Sequence, residues 1–201
     1  MTSHKLSDIL DIISENLKKK DIPYSLIGAL ALGTFGLPRF TADIDLLTDG
    51  SYWGLISPIM KHLGYVCFQK TDSFAQFDSE LGVYGKIDFM FVNTREGKDI
   101  LNRSVIIKDA LWGNHPVIQP ADYIVLKLMA IANNPDRSLK DESDISEVLK
   151  LSKNNLIPKD FDLLDVEMIF SFAERYGQTE KMKKLLNDSD IEPEKSEKNK
   201  L

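Results

Sequence analysis

The sequence predicts an α+β protein: a mixed sheet flanked by helices, followed by an all-helical C-terminal part. Two observations predict it. Short β-rich runs alternate with amphipathic helical stripes up to about Gln119, and beyond Pro120 only helical periodicity remains. A chain of 201 residues, 43% hydrophobic and 28% charged, has an ordinary globular composition and can bury a full core without disulfides or structural metal. The expected organisation is an α/β core over 1–119, a helical part packed on it over 120–186, and a disordered tail over 187–201.

Each element has its own signal. Leu6, Ile9, Leu10, Ile13 and Leu17 form the i, i+3, i+4, i+7 stripe of a first helix over 6–19, which Asp21-Ile22-Pro23 stops. Tyr24–Ile27 reads as a short buried strand ending at Gly28. Ala29–Phe35 is apolar throughout and rich in helix formers, so a buried helix is expected, closed by Gly36-Leu37-Pro38. Asp43-Ile44-Asp45-Leu46-Leu47 alternates and then turns apolar, as a strand does. Residues 52–62 are helical, with Trp53, Ile56, Ile59 and Met60 inward. Strands follow at Tyr65–Gln69, Phe74–Phe77 and Tyr84–Val92. Val105–Ile107 and Pro116–Ile118 read as an edge hairpin joined through Trp112-Gly113-Asn114. Pro120 opens the first C-terminal helix. Further helices are expected at 139–153, 160–175 and 179–186. The charged stretch from Asn187 to Leu201 has too little apolar surface to offset its ordering entropy.

Composition also excludes. The single Cys67 rules out a disulfide framework and a multi-thiolate zinc site. Twenty-five Lys and Arg against 31 Asp and Glu give a net charge of −6. No extended nucleic-acid-binding surface is expected, because such surfaces are built from many cation–phosphate contacts. Charges interrupt the stretch from Met1 to Asp8, so no secretory segment is expected in it. The longest uncharged stretch, Ile22 to Pro38, carries prolines, glycines and polar residues, where a spanning helix needs about 20 mostly apolar ones. A cytoplasmic protein with no membrane partner is the expectation.

The segment Leu26–Leu47 carries the chemistry. Alternate residues of a strand share a face about 6.8 Å apart, so Asp43 and Asp45 present two carboxylates on one side. Oxygen-only donors favour a hard divalent ion, Mg²⁺ first. An isolated D-x-D is equally the wet face of a solvated strand. Gly28 stands where a strand hands over to a helix, whose free N–H groups form an anion site. Alone, it reads as a glycine required by a tight turn. Asp88 interrupts the apolar run Ile87 to Val92, where burying a carboxylate is costly unless it is paired or metal-bound. Together, three such acids can hold two Mg²⁺ ions, a clamp for in-line attack on phosphorus.

The strand–Gly28-Ala29–helix unit, Arg39-Phe40-Thr41 and Asp43-Ile44-Asp45-Leu46 resemble the nucleotidyltransferase superfamily with the DNA polymerase β-like palm. The likeness is greatest to small AbiEii-type and other minimal transferases. Asp88 matches that pattern's third carboxylate. Lys127 in Lys127-Leu128-Met129-Ala130, and Asp141 with Asp144, resemble its helical block. The resemblance covers about residues 5–150 and implies an enzyme that moves a nucleoside monophosphate from an NTP to an acceptor hydroxyl and releases pyrophosphate. It implies Asp43, Asp45 and Asp88 as catalytic and metal-binding residues, with two Mg²⁺ ions, Mn²⁺ as a substitute, and NTP (ATP among them) as co-substrate. Gly28, Ala29, Arg39, Thr41 and Lys127 would line the nucleotide site. Acceptors in such families are small molecules, proteins or tRNA.

Ala29 departs from the Gly or Ser of the pattern and removes a hydroxyl from the triphosphate site. That departure keeps open an inactive, nucleotide- or partner-binding relative, including a member of a toxin–antitoxin pair. Arg39 either contacts phosphate or braces the Asp strand. Thr41 reads as a hydrogen bonder within the Asp loop, and Asp141 and Asp144 read as an ion network. His4, His62 and His115 lack ligand spacing and are expected at the surface or in loops. Cys67 is expected in the core.

Overall fold

The first helical stripe forms as its periodicity requires. In Leu6–Lys18 (α1), Ile9, Leu10, Ile13 and Leu17 are buried and Lys18 closes the last turn, where a cation meets the negative end of the helix dipole. The computed structural model describes residues 6–79, 85–109 and 112–189. The chain divides into two compact units, Met1–Gln119 and Pro120–Leu201.

In the first unit, the described strands are Tyr24–Leu26 (β1), Asp43–Asp49 (β2), Tyr65–Lys70 (β3), Phe74–Ser79 (β4), Lys86–Val92 (β5), Val105–Asp109 (β6) and Gly113–Val117 (β7). They form one mixed sheet in the order β3-β4-β5-β2-β1-β7-β6. β2 runs parallel to β5, and β1 to β7, while the other neighbours are antiparallel. β2 and β5 pair along their whole length, from Asp43 opposite Lys86 to Asp49 opposite Val92. Alternation then sorts the side chains. Ile44, Leu46, Ile87, Phe89, Ala75 and Phe77 are buried, while Asp43, Asp45, Asp88 and Gln76 are half-buried on the other face. Gly28–Phe35 (α2) and Arg95–Asn102 (α4) pack on β2, and Trp53–His62 (α3) packs on β3 and α1.

The second unit is helical, with Pro120–Asn133 (α5), Ser138–Lys153 (α6), Val166–Arg175 (α7) and Thr179–Asp188 (α8). α5 packs on α6 and α7, and α8 joins α6 and α7. Among the described residues, no helix is long and apolar enough to cross a membrane.

Several sequence expectations need correction. α4 was not predicted. Its short stripe buries only Ile100 and Leu101, and Gly97 obscures it, although Thr94 caps it by accepting from the Gly97 N–H at 3.1 Å. The helix expected from residue 160 starts at Val166, because Asp165 caps it through the Met168 N–H at 2.8 Å. β7 begins at Gly113 rather than Pro116, since the hairpin register pairs Asp109 with Gly113. α8 continues to Asp188, and residues 190–201 of the expected tail lie outside the described residues, as do His4 and Tyr84. His115 is 2% exposed, because β7 is an interior strand, and its Nδ1 shares a 3.0 Å hydrogen bond with the Tyr24 hydroxyl. Cys67 is only half-buried, because β3 is an edge strand with Val66 and Phe68 exposed beside it.

Candidate active site

The site grows from the junction of β1 and α2. The chain leaves β1 through Ile27, whose N–H donates to the Asp45 carbonyl at 3.1 Å. Gly28 follows with φ of +61°, a conformation that costs a side-chain-bearing residue about 1–2 kcal/mol. A Cβ there would also run into the Asp45 carboxylate. Glycine at 28 is therefore required twice, by backbone conformation and by close approach. The first turn of α2 has N–H groups without intrahelical acceptors beside that carboxylate's strand. Ala29 is buried, so its methyl is packing and only its N–H is available for other work. At the other end, Gly36 closes α2 with φ of +110° and donates to the Gly33 carbonyl, while Leu37 donates to that of Leu32.

The loop back to β2 carries Arg39, Phe40 and Thr41. Arg39 is exposed, and Phe40 is 94% exposed. The Thr41 hydroxyl donates to the Asp43 carbonyl at 3.0 Å and accepts from the Asp43 N–H at 3.2 Å. That closed pair fixes the entry into β2, and so the face on which Asp43 emerges.

Sheet register brings three of the sequence-predicted residues together. Asp45 on β2 lies directly opposite Asp88 on β5, one strand spacing of about 4.8 Å away. Asp43 lies one pleat along on the same face and opposite Lys86. Gln76 on β4 lies opposite Asp88 from the other side. A single row, Asp45–Asp88–Gln76, thus crosses three strands, with Gly28 against its β2 end. Gln76 Nε2 donates to Asp88 Oδ2 at 2.9 Å, and Asp88 Oδ1 is buried with no hydrogen-bond partner among the described residues. Burial pushes the Asp88 carboxyl above the usual carboxylate range, and the charge of Asp43 adds to that, against the lowering by the Gln76 amide and Lys86. Sequence reasoning missed Gln76. Its signal was the alternation Phe74-Ala75-Gln76-Phe77, which sets one polar residue on the face of the acids.

Oxygen donors on adjacent strands, one of them a buried orphan, fit a hard divalent cation in chemistry. Among the described residues, no three His, Cys, Asp or Glu side chains are gathered into a group that could hold a metal ion. The three carboxylates share a face without being closed into a ligand set.

Lys127 lies in the second unit. Its ammonium is bound by Asp141 Oδ1 and Asp144 Oδ2, each at 2.6 Å. Arg137 Nε donates to Asp141 Oδ2 at 3.0 Å, and the Tyr123 hydroxyl donates to Asp144 Oδ2 at 3.2 Å. The ammonium that the resemblance gave to phosphate is engaged by a buried ion network.

No family model matches the sequence, and no curated protein matches it. Solved structures do. The solution structure of the antibiotic-resistance factor ANT(2'')-Ia superposes with a TM-score of 0.61 at 15% identity, over 91% of this chain and 99% of that one. Its crystal structure in complex with adenylyl-2''-tobramycin gives 0.61 at 14% identity, over 85% and 98%. The fold is that of the nucleotidyltransferases. A third nucleotidyltransferase structure, the lincosamide antibiotic adenylyltransferase LnuA with lincomycin bound, gives 0.50 at 16% identity, over 70% and 94%.

Proposed function

We propose that the chain is a nucleotidyltransferase that moves a nucleoside monophosphate from an NTP to a hydroxyl of a small-molecule acceptor. The observation that carries this reading is the row of Gly28, Asp45 and Asp88, with Asp43 beside it and one Asp88 oxygen buried without a hydrogen-bond partner among the described residues. The fold supports it, and so do the antibiotics named with two of its structural neighbours.

In this reading the acceptor oxygen attacks the α-phosphorus. The bond from that phosphorus to the β-phosphate bridging oxygen breaks, and pyrophosphate leaves with the electron pair. Asp88 takes up the acceptor proton. Asp43, Asp45 and Asp88 would hold the two Mg²⁺ ions, which supply Lewis-acid stabilisation of the attacking and leaving oxygens. The N–H groups of Gly28 and Ala29 at the start of α2 hold phosphate oxygens, and Thr41 keeps β2 in place. Arg39, exposed in the loop between α2 and β2, would bind phosphate.

The test is transfer of label from α-³²P-NTPs to a panel of aminoglycosides and lincosamides, with pyrophosphate release followed in parallel. Mg²⁺-dependent transfer that falls at least a thousandfold in Asp45→Asn is the expected result. Nucleotide binding without any turnover across the panel would instead favour the non-catalytic relative.

A further inference from the structure

We propose that Gln76 is a positioning residue for Asp88: it fixes that carboxylate by one oxygen and leaves the other for a divalent cation. The inference rests on the reading that Asp43, Asp45 and Asp88 hold such cations. Three observations carry it. Gln76 and Asp88 are direct partners in the antiparallel β4–β5 register, and both lie on the half-buried face that also bears Asp45. Among the described residues, the side-chain hydrogen bond to Asp88 comes from Gln76 Nε2, at 2.9 Å to Oδ2. Oδ1 is buried and has no hydrogen-bond partner among the described residues.

The residue type matters. An aspartate carboxylate turns broadly about its last torsion, so without a partner neither oxygen is assigned a direction. Lys or Arg in place of Gln76 would fix the carboxylate but cancel the charge a cation needs. An amide fixes it and leaves the charge in place. Groups that orient metal ligands in this way typically account for 10–100-fold in metal affinity.

Mn²⁺ alone provides the test, its binding read from the EPR signal of the free ion. Wild type, Gln76→Leu, Gln76→Asn and Asp45→Asn are compared, with thermal melting of each. Leu has no donor, and the Asn amide is one methylene short. Both should raise the Mn²⁺ dissociation constant at least about tenfold, while Asp45→Asn removes the site. If the Leu variant fails to fold, the polar Asn variant decides. Wild-type affinity in both Gln76 variants, with binding lost in Asp45→Asn, overturns the role of Gln76 and leaves the cation reading standing. Equal Mn²⁺ binding by wild type and Asp45→Asn overturns the cation reading, and the Gln76 role with it.

Discussion

A methyl group at position 28 meets two obstacles at once, a left-handed backbone and the Asp45 carboxylate. Gly28→Ala should therefore lower stability by at least about 1–2 kcal/mol and, by displacing Asp45, reduce transfer more than a hundredfold. Chemical denaturation and label transfer on the same preparation check both. Asp88 gives a prediction of opposite sign for stability. Its carboxyl is raised in the folded chain, first by burial and then by Asp43, so ionisation at neutral pH opposes folding. Asp88→Asn should abolish transfer yet raise Tm at pH 7. That gain should shrink as the pH falls through the raised carboxyl range and vanish below the ordinary value of 3.8, where both proteins carry a neutral group. The acids were legible in the sequence because D-x-D on a strand and a lone Asp in an apolar run are local patterns. Gln76 was not, because its role depends on the β4–β5 register, which no local pattern states. The pairing of Lys127 likewise depends on packing, since the two carboxylates that bind it come from another helix.

At the scale of elements, periodicity identified the helices and strands whose buried stripes are long. It missed α4, with two buried residues, and it misplaced boundaries that single caps decide, such as Asp165. Within the helical unit, α5 and α6 are joined by the buried Lys127, Asp141 and Asp144. Lys127→Met takes the ammonium away from two buried carboxylates and should cost about 3–5 kcal/mol in a denaturant melt. The sheet has a comparable point in the first unit. His115 on β7 contacts Tyr24 on β1 and lies 3.3 Å from Asp11 on α1. Burial lowers its pKa, against the raising effect of Asp11, while Lys18 lowers it further. The unfolded chain then binds the proton more readily, so stability is fully present above the ordinary value of 6.5 and is lost as pH falls below it. Melting temperature should drop on acidification from pH 7 to pH 5, and His115→Gln should flatten that part of the profile.

For the whole molecule, the sequence predicted the fold class although no family model matches it, and that fold is shared with solved nucleotidyltransferases at only 14–16% identity. What those identities do not transmit is the acceptor, which on the proposed reading would be chosen by side chains outside the Gly28–Asp45–Asp88 row. On the proposed reading, the net charge of −6 favours a low-molecular-weight acceptor over RNA. The central claim is that Asp43, Asp45 and Asp88 grip divalent cations beside the start of α2. Anomalous scattering from a crystal soaked with Mn²⁺ and a non-hydrolysable ATP analogue tests it most directly. The expected result is Mn²⁺ within about 2.2 Å of oxygens from all three carboxylates, with the analogue's phosphates at the Gly28 and Ala29 amides. An ordered analogue with Mn²⁺ absent from the three acids would contradict it.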